Sequence, residues 1–299
     1  MATTVTQSPI QARRPGHQVS ASVRAQRILR AILLYGSLII LSLLFLFPFY
    51  IIIRNGLMSE TEIKSGNWLW FSVNPHFENF TNLFNDKTAP MAKGLLNSAI
   101  IATAQLFGQL IIASMAAYGL ARVPFRHRNL VFYLILLALM IPSAVTFLPT
   151  YVIVSILGMV NTMQGIVIPG LFNVFAVFVF RQFFLDFPRD LEDAGRVDGL
   201  GYWGVFRRVV VPNSIGVFIA LGVIAFINSW NAFLWPLLIA QDSSQWTVQI
   251  VLSTFLTAQV VRLGPLFMGA AVGIAPLVIL FFILQRYIVQ GVKFSGIKG

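Results

Sequence analysis

From Pro188 to Pro212 the chain reads PRDLEDAGRVDGLGYWGVFRRVVVP, placing eight charged side chains between stretches that are almost wholly apolar. Pro188 cannot continue a preceding helix but suits a first turn. Asp190, Glu192 and Asp193 then put negative charge where the aligned peptide dipoles of a helix N-terminus favour it. The spacing predicts a short helix running through Arg196 and stopping at Asp198-Gly199, where glycine supplies the positive φ of a turn. A second amphipathic segment, Tyr202 to Val211, leads to Pro212. Such a unit carries carboxylates and guanidiniums for pairing with another surface. On residue types alone it fits a plain interfacial connector equally well.

The elements around this unit set its context. The 299 residues are 57% hydrophobic and 10% charged, which excludes a soluble domain with a polar surface. Crossing the hydrocarbon core takes roughly 20 apolar residues in a helix. Runs of that kind lie at about 28–53, 95–120, 130–150, 163–183, 217–240 and 266–289. They are continuously apolar and lack the alternation of a β-barrel strand. The expected fold is an all-α integral membrane protein with six transmembrane helices, the first an anchor rather than a cleaved signal, with the charged loop 186–212 between helices 4 and 5. Six spans put both termini on one side, and 16 of the 21 Lys and Arg residues fall on that side. The positive-inside rule makes it the cytoplasm. The net charge of +11 then reflects topology and lipid contact, not nucleic-acid binding. No cysteine is present, which excludes disulfides and thiol catalysis. His17, His76 and His127 lack metal-ligand spacing, and no P-loop sequence occurs.

Pro188, Leu191-Glu192, Ala194, Arg196, Asp198-Gly199 and Pro212 together resemble the EAA loop of permease subunits in binding-protein-dependent ABC importers, in the maltose-type carbohydrate-uptake class. NSWNAFLWPLL at Asn228–Leu238 is similar to that family's fifth-helix signature, and the ending QRYIVQGVKFSGIKG resembles its tail. The resemblance covers roughly Asn97 to Gly299. It departs at Asp193, where the family usually has Glu, at Gly195 and Leu200, where it has Ala, and at Gly216, where a second proline is common. The resemblance implies a coupling helix seated on a separate cytoplasmic ATPase, with Leu191, Glu192, Asp193, Ala194, Gly195, Arg196, Asp198 and Gly199 as the ATPase-coupling residues. It implies a further ATPase contact through Lys293 and Lys298. The implied partners are a second homologous permease subunit, an ABC ATPase dimer that binds ATP and Mg, an extracytoplasmic solute-binding protein and membrane lipid. No cofactor is expected on this chain, and no catalytic or metal residue. The implied location is a bacterial or archaeal cell membrane.

By these boundaries no Asp or Glu lies within a span, so proton relays and strong cation binding have no visible residues. A neutral polyhydroxylated solute, a sugar or polyol, fits better. Asn228, Ser229, Trp230 and Asn231 offer donors and acceptors beside an aromatic face, with Asn97, Gln105, Gln109 and Asn173 as further candidates. The competing reading is that these residues bind helices together, at about 0.6 kcal/mol per interaction. Residues 1–27 are expected to be a disordered basic tail, 28–290 the permease domain and 291–299 a cytoplasmic tail. A stand-alone secondary transporter or channel is the alternative; it predicts transport by this chain alone.

Overall fold

The computed structural model describes residues 21–72, 74–256 and 261–295; most of the expected N-terminal tail and Lys298 lie outside them. Lys293 falls within the last described helix. Apart from an isolated bridge between Leu256 and Val261, the described residues are helices and connections. Two units divide between Ile51 and Ile52, the first carrying most of α1 (Ala21–Gly56). That helix begins seven residues ahead of the expected first span and takes in residues 21–27. It carries no charged residue from Ala31 to Ile53 and is apolar on every side there, as a lipid-spanning helix must be. It accommodates Pro48 internally.

Two further helices, α2 (Glu60–Lys64) and α3 (Glu78–Asn85), lie between α1 and Pro90. A reciprocal cap starts α2: Glu62 N donates to Ser59 Oγ (3.2 Å) and Ser59 N donates to Glu62 Oε2 (2.9 Å). Two orphan backbone donors are thereby satisfied. α4 (Met91–Arg122) is the axis of the second unit and packs along α8 (Val174–Asp186) and α12 (Ile215–Trp230). Ala113, Ala117 and Ala121 recur every fourth residue and are buried. Small side chains on one face let neighbouring backbones approach closely.

The remaining elements are α5 (Arg128–Leu137), α6 (Ser143–Ile156), α7 (Met163–Val167), α9 (Arg189–Val197), α10 (Tyr202–Val205), α11 (Val211–Asn213), α13 (Leu234–Ile239), α14 (Val248–Thr254) and α15 (Leu263–Ser295). A π-helical turn, Phe206–Val210, joins α10 to α11. Three helices are long and apolar enough to cross a membrane singly, and three bent pairs raise the number to six if each pair is one span.

Two of these bends and one further break correct three of the expected runs, while the third bent pair, Tyr202–Asn213 with Ile215–Trp230, turns by 79° ahead of the fifth run. The run 130–150 turns by 101° between Met140 and Ser143. Pro142 disfavours helical backbone in the residue before it, and Ile141 is extended with φ −84° and ψ 117°. The run 163–183 bends by 41° between Gly170 and Val174. There Asn173 caps α8 by accepting from Ala176 N at 3.0 Å. The run 217–240 stops at Trp230 and restarts at Leu234. Pro236 sits in the first turn of α13, where its missing N–H costs nothing, while its ring would clash with the carbonyl of residue 232 in a continuous helix. Hydropathy carries across both bends and the break, because interrupting a helix leaves its apolar composition untouched.

Candidate functional site

The site is built at the C-terminal end of α4, where the chain leaves Arg122 for α5 and where α9 docks. α9 follows Pro188, carries Asp190 and Glu192 in its first turn and ends at Asp198. Gly199 has φ +83°, a conformation that would strain a residue with a Cβ. Its N–H donates to Arg196 O, and Leu200 N donates to Gly195 O, both at 3.0 Å. The helix therefore starts and stops where Pro188 and Asp198-Gly199 place it.

α9 presents two different faces. Inward, Glu192 and Gly195 are buried. Glu192 Oε1 lies 2.9 Å from Arg122 Nε, and the two side chains are only 3% and 7% exposed. Tyr118 Oη donates to Glu192 Oε2 at 3.3 Å, and Arg196 Nη2 stands 3.8 Å from the same oxygen. Arg122 Nη2 also donates to the carbonyl of Phe187, just ahead of Pro188. An aromatic cluster of Tyr118, Phe180, Phe184 and Phe206 closes over this polar knot. Low local dielectric strengthens such a pair and raises the cost of leaving either member alone.

Outward, Asp190, Asp193, Ala194, Val197 and Asp198 are exposed, Val197 to 88%. Leu191 is exposed at the edge of this face. Asp193, 63% exposed, keeps one contact, with Arg196 Nη1 at 3.5 Å. Arg196 also lies over the Tyr202 ring, 5.1 Å from its centroid. Beside α9 a cleft of about 230 Å³ is lined by Arg122, Arg128, Arg189 and Arg196 together with Glu192 and Asp193.

The expected coupling residues thus split. Asp193 and Ala194 face out, Arg196 and Asp198 border them, and Gly195 and Gly199 serve packing and turn. Glu192, expected to meet a partner, is turned inward onto Arg122. Arg122 and Tyr118 were missed by sequence reasoning; their signal was an arginine and a tyrosine four residues apart at the end of an apolar helix, and nothing local marked Glu192 as their partner. The departures at Gly195 and Leu200 belong together. A Cβ at Gly195 would stand 3.5 Å from Leu200 Cδ1 and 3.3 Å from Val209 Cγ2. Leu200 packs at ordinary contact distance from that position, and Val209 is the neighbour that would have to yield.

The residues expected to meet a solute also divide. Trp230 is buried, donates from Nε1 to Gly273 O at 3.0 Å and stacks on Phe226 with centroids 5.6 Å apart. It is a packing residue between α12 and α15. Ser229 is half-buried, and its Oγ finds no hydrogen-bond partner among the described residues. Asn228 and Asn231 are exposed at the helix break. Gln249 on α14 joins them by donating to Asn231 Oδ1 at 3.4 Å. Asn97 donates to Ser244 O and Trp246 O, each at 2.9 Å, and Gln109 to Gly170 O at 2.8 Å. Gln105 donates to Ile166 O at 3.1 Å and Asn173 to Gln109 Oε1 at 3.3 Å. These four tie helices and connections together, so for them the packing reading holds.

Residues 109–294 match the family described as binding-protein-dependent transport system inner membrane component, and the chain belongs to that family. It is 34% identical over 262 residues to the arabinooligosaccharides transport system permease protein AraQ of Bacillus subtilis (strain 168), covering 87% of this chain and 92% of that one. It is 31% identical over 266 residues to the lactose transport system permease protein LacG of Rhizobium radiobacter, covering 89% and 96%. It is 31% identical over 263 residues to the sn-glycerol-3-phosphate transport system permease protein UgpE of Yersinia pestis, covering 85% and 92%. In fold it matches a chain of a bacterial ABC transporter involved in the import of the acidic polysaccharide alginate, with a TM-score of 0.75, 20% identity and coverage of 90% and 99%. The chain is a membrane-spanning permease subunit of an ABC importer.

Proposed function

We propose that this permease forms half of the pathway for a sugar, oligosaccharide or related polyol, and that α9 is its coupling helix to a separate ATPase dimer. The observation that carries the reading is the two-faced geometry of α9: one face tied to α4 through Glu192 and Arg122, the other presenting Asp193, Ala194 and Val197 to a partner. Movement of a partner gripping the outer face passes through the buried ion pair to α4. ATP and Mg belong on that partner. A homologous second permease completes the pathway, and a solute-binding protein delivers the solute from outside. Arg122, Arg126, Arg128, Arg189, Arg196, Arg207 and Arg208 gather toward the α9 end, which supports a cytoplasmic face there and both termini on that side. The relatives' names support the solute class, and Asn228 and Asn231, with Gln249, are the open amides that would meet its hydroxyls.

The test is reconstitution of the full transporter in nanodiscs with Asp193→Lys and Val197→Asp, both on exposed positions. The companion permease is expected to remain bound while the ATPase dissociates and solute-stimulated hydrolysis falls at least tenfold. Uptake of labelled arabino-oligosaccharide is expected to stop in cells lacking the ATPase. Uptake that persists there overturns the assignment of α9 to that ATPase.

A further inference from the structure

A second concavity lies away from α9, between α4, α12 and α15, with a volume of about 470 Å³, within the range of small-molecule cavities. Its walls include Leu110 on α4, Phe218 and Gly222 on α12 and Leu284 on α15. The one polar side chain among its lining residues, Ser114, spends its hydroxyl on Ile111 O at 3.2 Å. Nothing in this groove recognises a sugar.

The groove's rim is of another character. Trp203, Phe206 and Val211 line it where α10 passes through the π-helical turn into α11. Arg207 and Arg208 follow Phe206 directly in this π-helical turn, at the rim and outside the lining itself. Both arginines are exposed and make no ion pair among the described residues. Tryptophan beside arginine at the end of an apolar trough is the chemistry of a membrane interface. π-helical turns concentrate at functional sites.

We propose that this groove holds one acyl chain of an anionic phospholipid whose phosphate sits on Arg207 and Arg208. Two observations favour lipid over a helix of a companion subunit. Close helix packing in membranes uses small side chains, whereas α4 offers the groove Leu106, Phe107, Leu110, Ile111 and Met115 and turns Ala113, Ala117 and Ala121 elsewhere. Gly222 does not provide a flat contact either, since a Cβ there would stand 3.3 Å from Leu110 Cδ1. A flexible chain follows such a surface, and a negative headgroup answers the paired cations. Each basic residue near an anionic headgroup contributes about a fivefold preference.

The experiment is native mass spectrometry of the full chain, purified in detergent and stripped of lipid, with dioleoylphosphatidylglycerol or dioleoylphosphatidylcholine added. The intact chain is expected to prefer phosphatidylglycerol by roughly 25-fold, and Arg207→Gln with Arg208→Gln to bring the ratio near one at unchanged helicity. Equal binding of the two lipids, or a preference surviving the double change, overturns the proposal. A photo-reactive phenylalanine analogue at Ile219, on the groove wall, provides a second readout in intact membranes that needs no change at the arginines. A phospholipid adduct is expected, and an adduct with a companion subunit overturns the assignment.

Discussion

At each end of α4 an arginine meets a carboxylate, and the two pairs are nearly equal in length. Arg122 and Glu192 stand 2.9 Å apart at the C-terminal end; Arg262 and Asp86 stand 2.8 Å apart near the N-terminal end. Their surroundings differ. The first pair is 7% and 3% exposed under an aromatic cluster, the second 45% and 14% exposed. Distance therefore says little about what each pair is worth. Screening by water leaves an exposed pair contributing at most about 1 kcal/mol, while removing one member of a buried pair costs about 3–5 kcal/mol because a charge is stranded.

The largest expected effect breaks the buried pair. Arg122→Ala should lower stability by about 3–5 kcal/mol, seen as a clear fall in the thermal midpoint of the purified subunit and loss of transport. Arg122→Met combined with Glu192→Leu separates stability from transmission. Burying matched apolar groups is often neutral or stabilising, so the midpoint should recover while solute-stimulated ATP hydrolysis stays lost; recovery of both would show that any filler holds α9. Next is Gly199→Ala, which forces a Cβ into the left-handed region at about 1–2 kcal/mol, measurable as a smaller drop in midpoint. The smallest change is Arg262→Gln, on the 45% exposed member of the outer pair, expected to cost under about 1 kcal/mol.

Asp86 also has a pH signature. The Thr88 hydroxyl and, after it, the Arg262 guanidinium hold its carboxyl down from 3.8 to about 2. A lowered folded-state value contributes stability that is present above 3.8 and lost as the pH falls through about 2. Unfolding midpoints between pH 5 and 2 should therefore fall less steeply in Asp86→Asn than in the parent.

The same contrast explains what was readable in advance. α9 begins after Pro188 and ends at Gly199 because local chemistry dictates both events, and local chemistry is written in neighbouring residues. The inward turn of Glu192 depends on Arg122, 70 residues earlier, and no pattern around either residue announces the other. The family-level departures at Gly195 and Leu200, five residues apart in sequence, are neighbours in the fold. The opening at Pro236 was hidden for another reason. A hydrophobic run reports what surrounds a segment, whereas a helix break is decided by one missing N–H and one ring. The cap Ser59-x-x-Glu62 is written in its spacing, since both partners lie within three residues.

Arg122 grips the α9 region twice, at the Phe187 carbonyl before Pro188 and at the Glu192 carboxylate after it. One tether would leave the helix free to swivel about a point. Two tethers on either side of the proline define a line, so the tilt of α9 is held as well as its position. Tilting α9 would therefore turn the end of α4 with it.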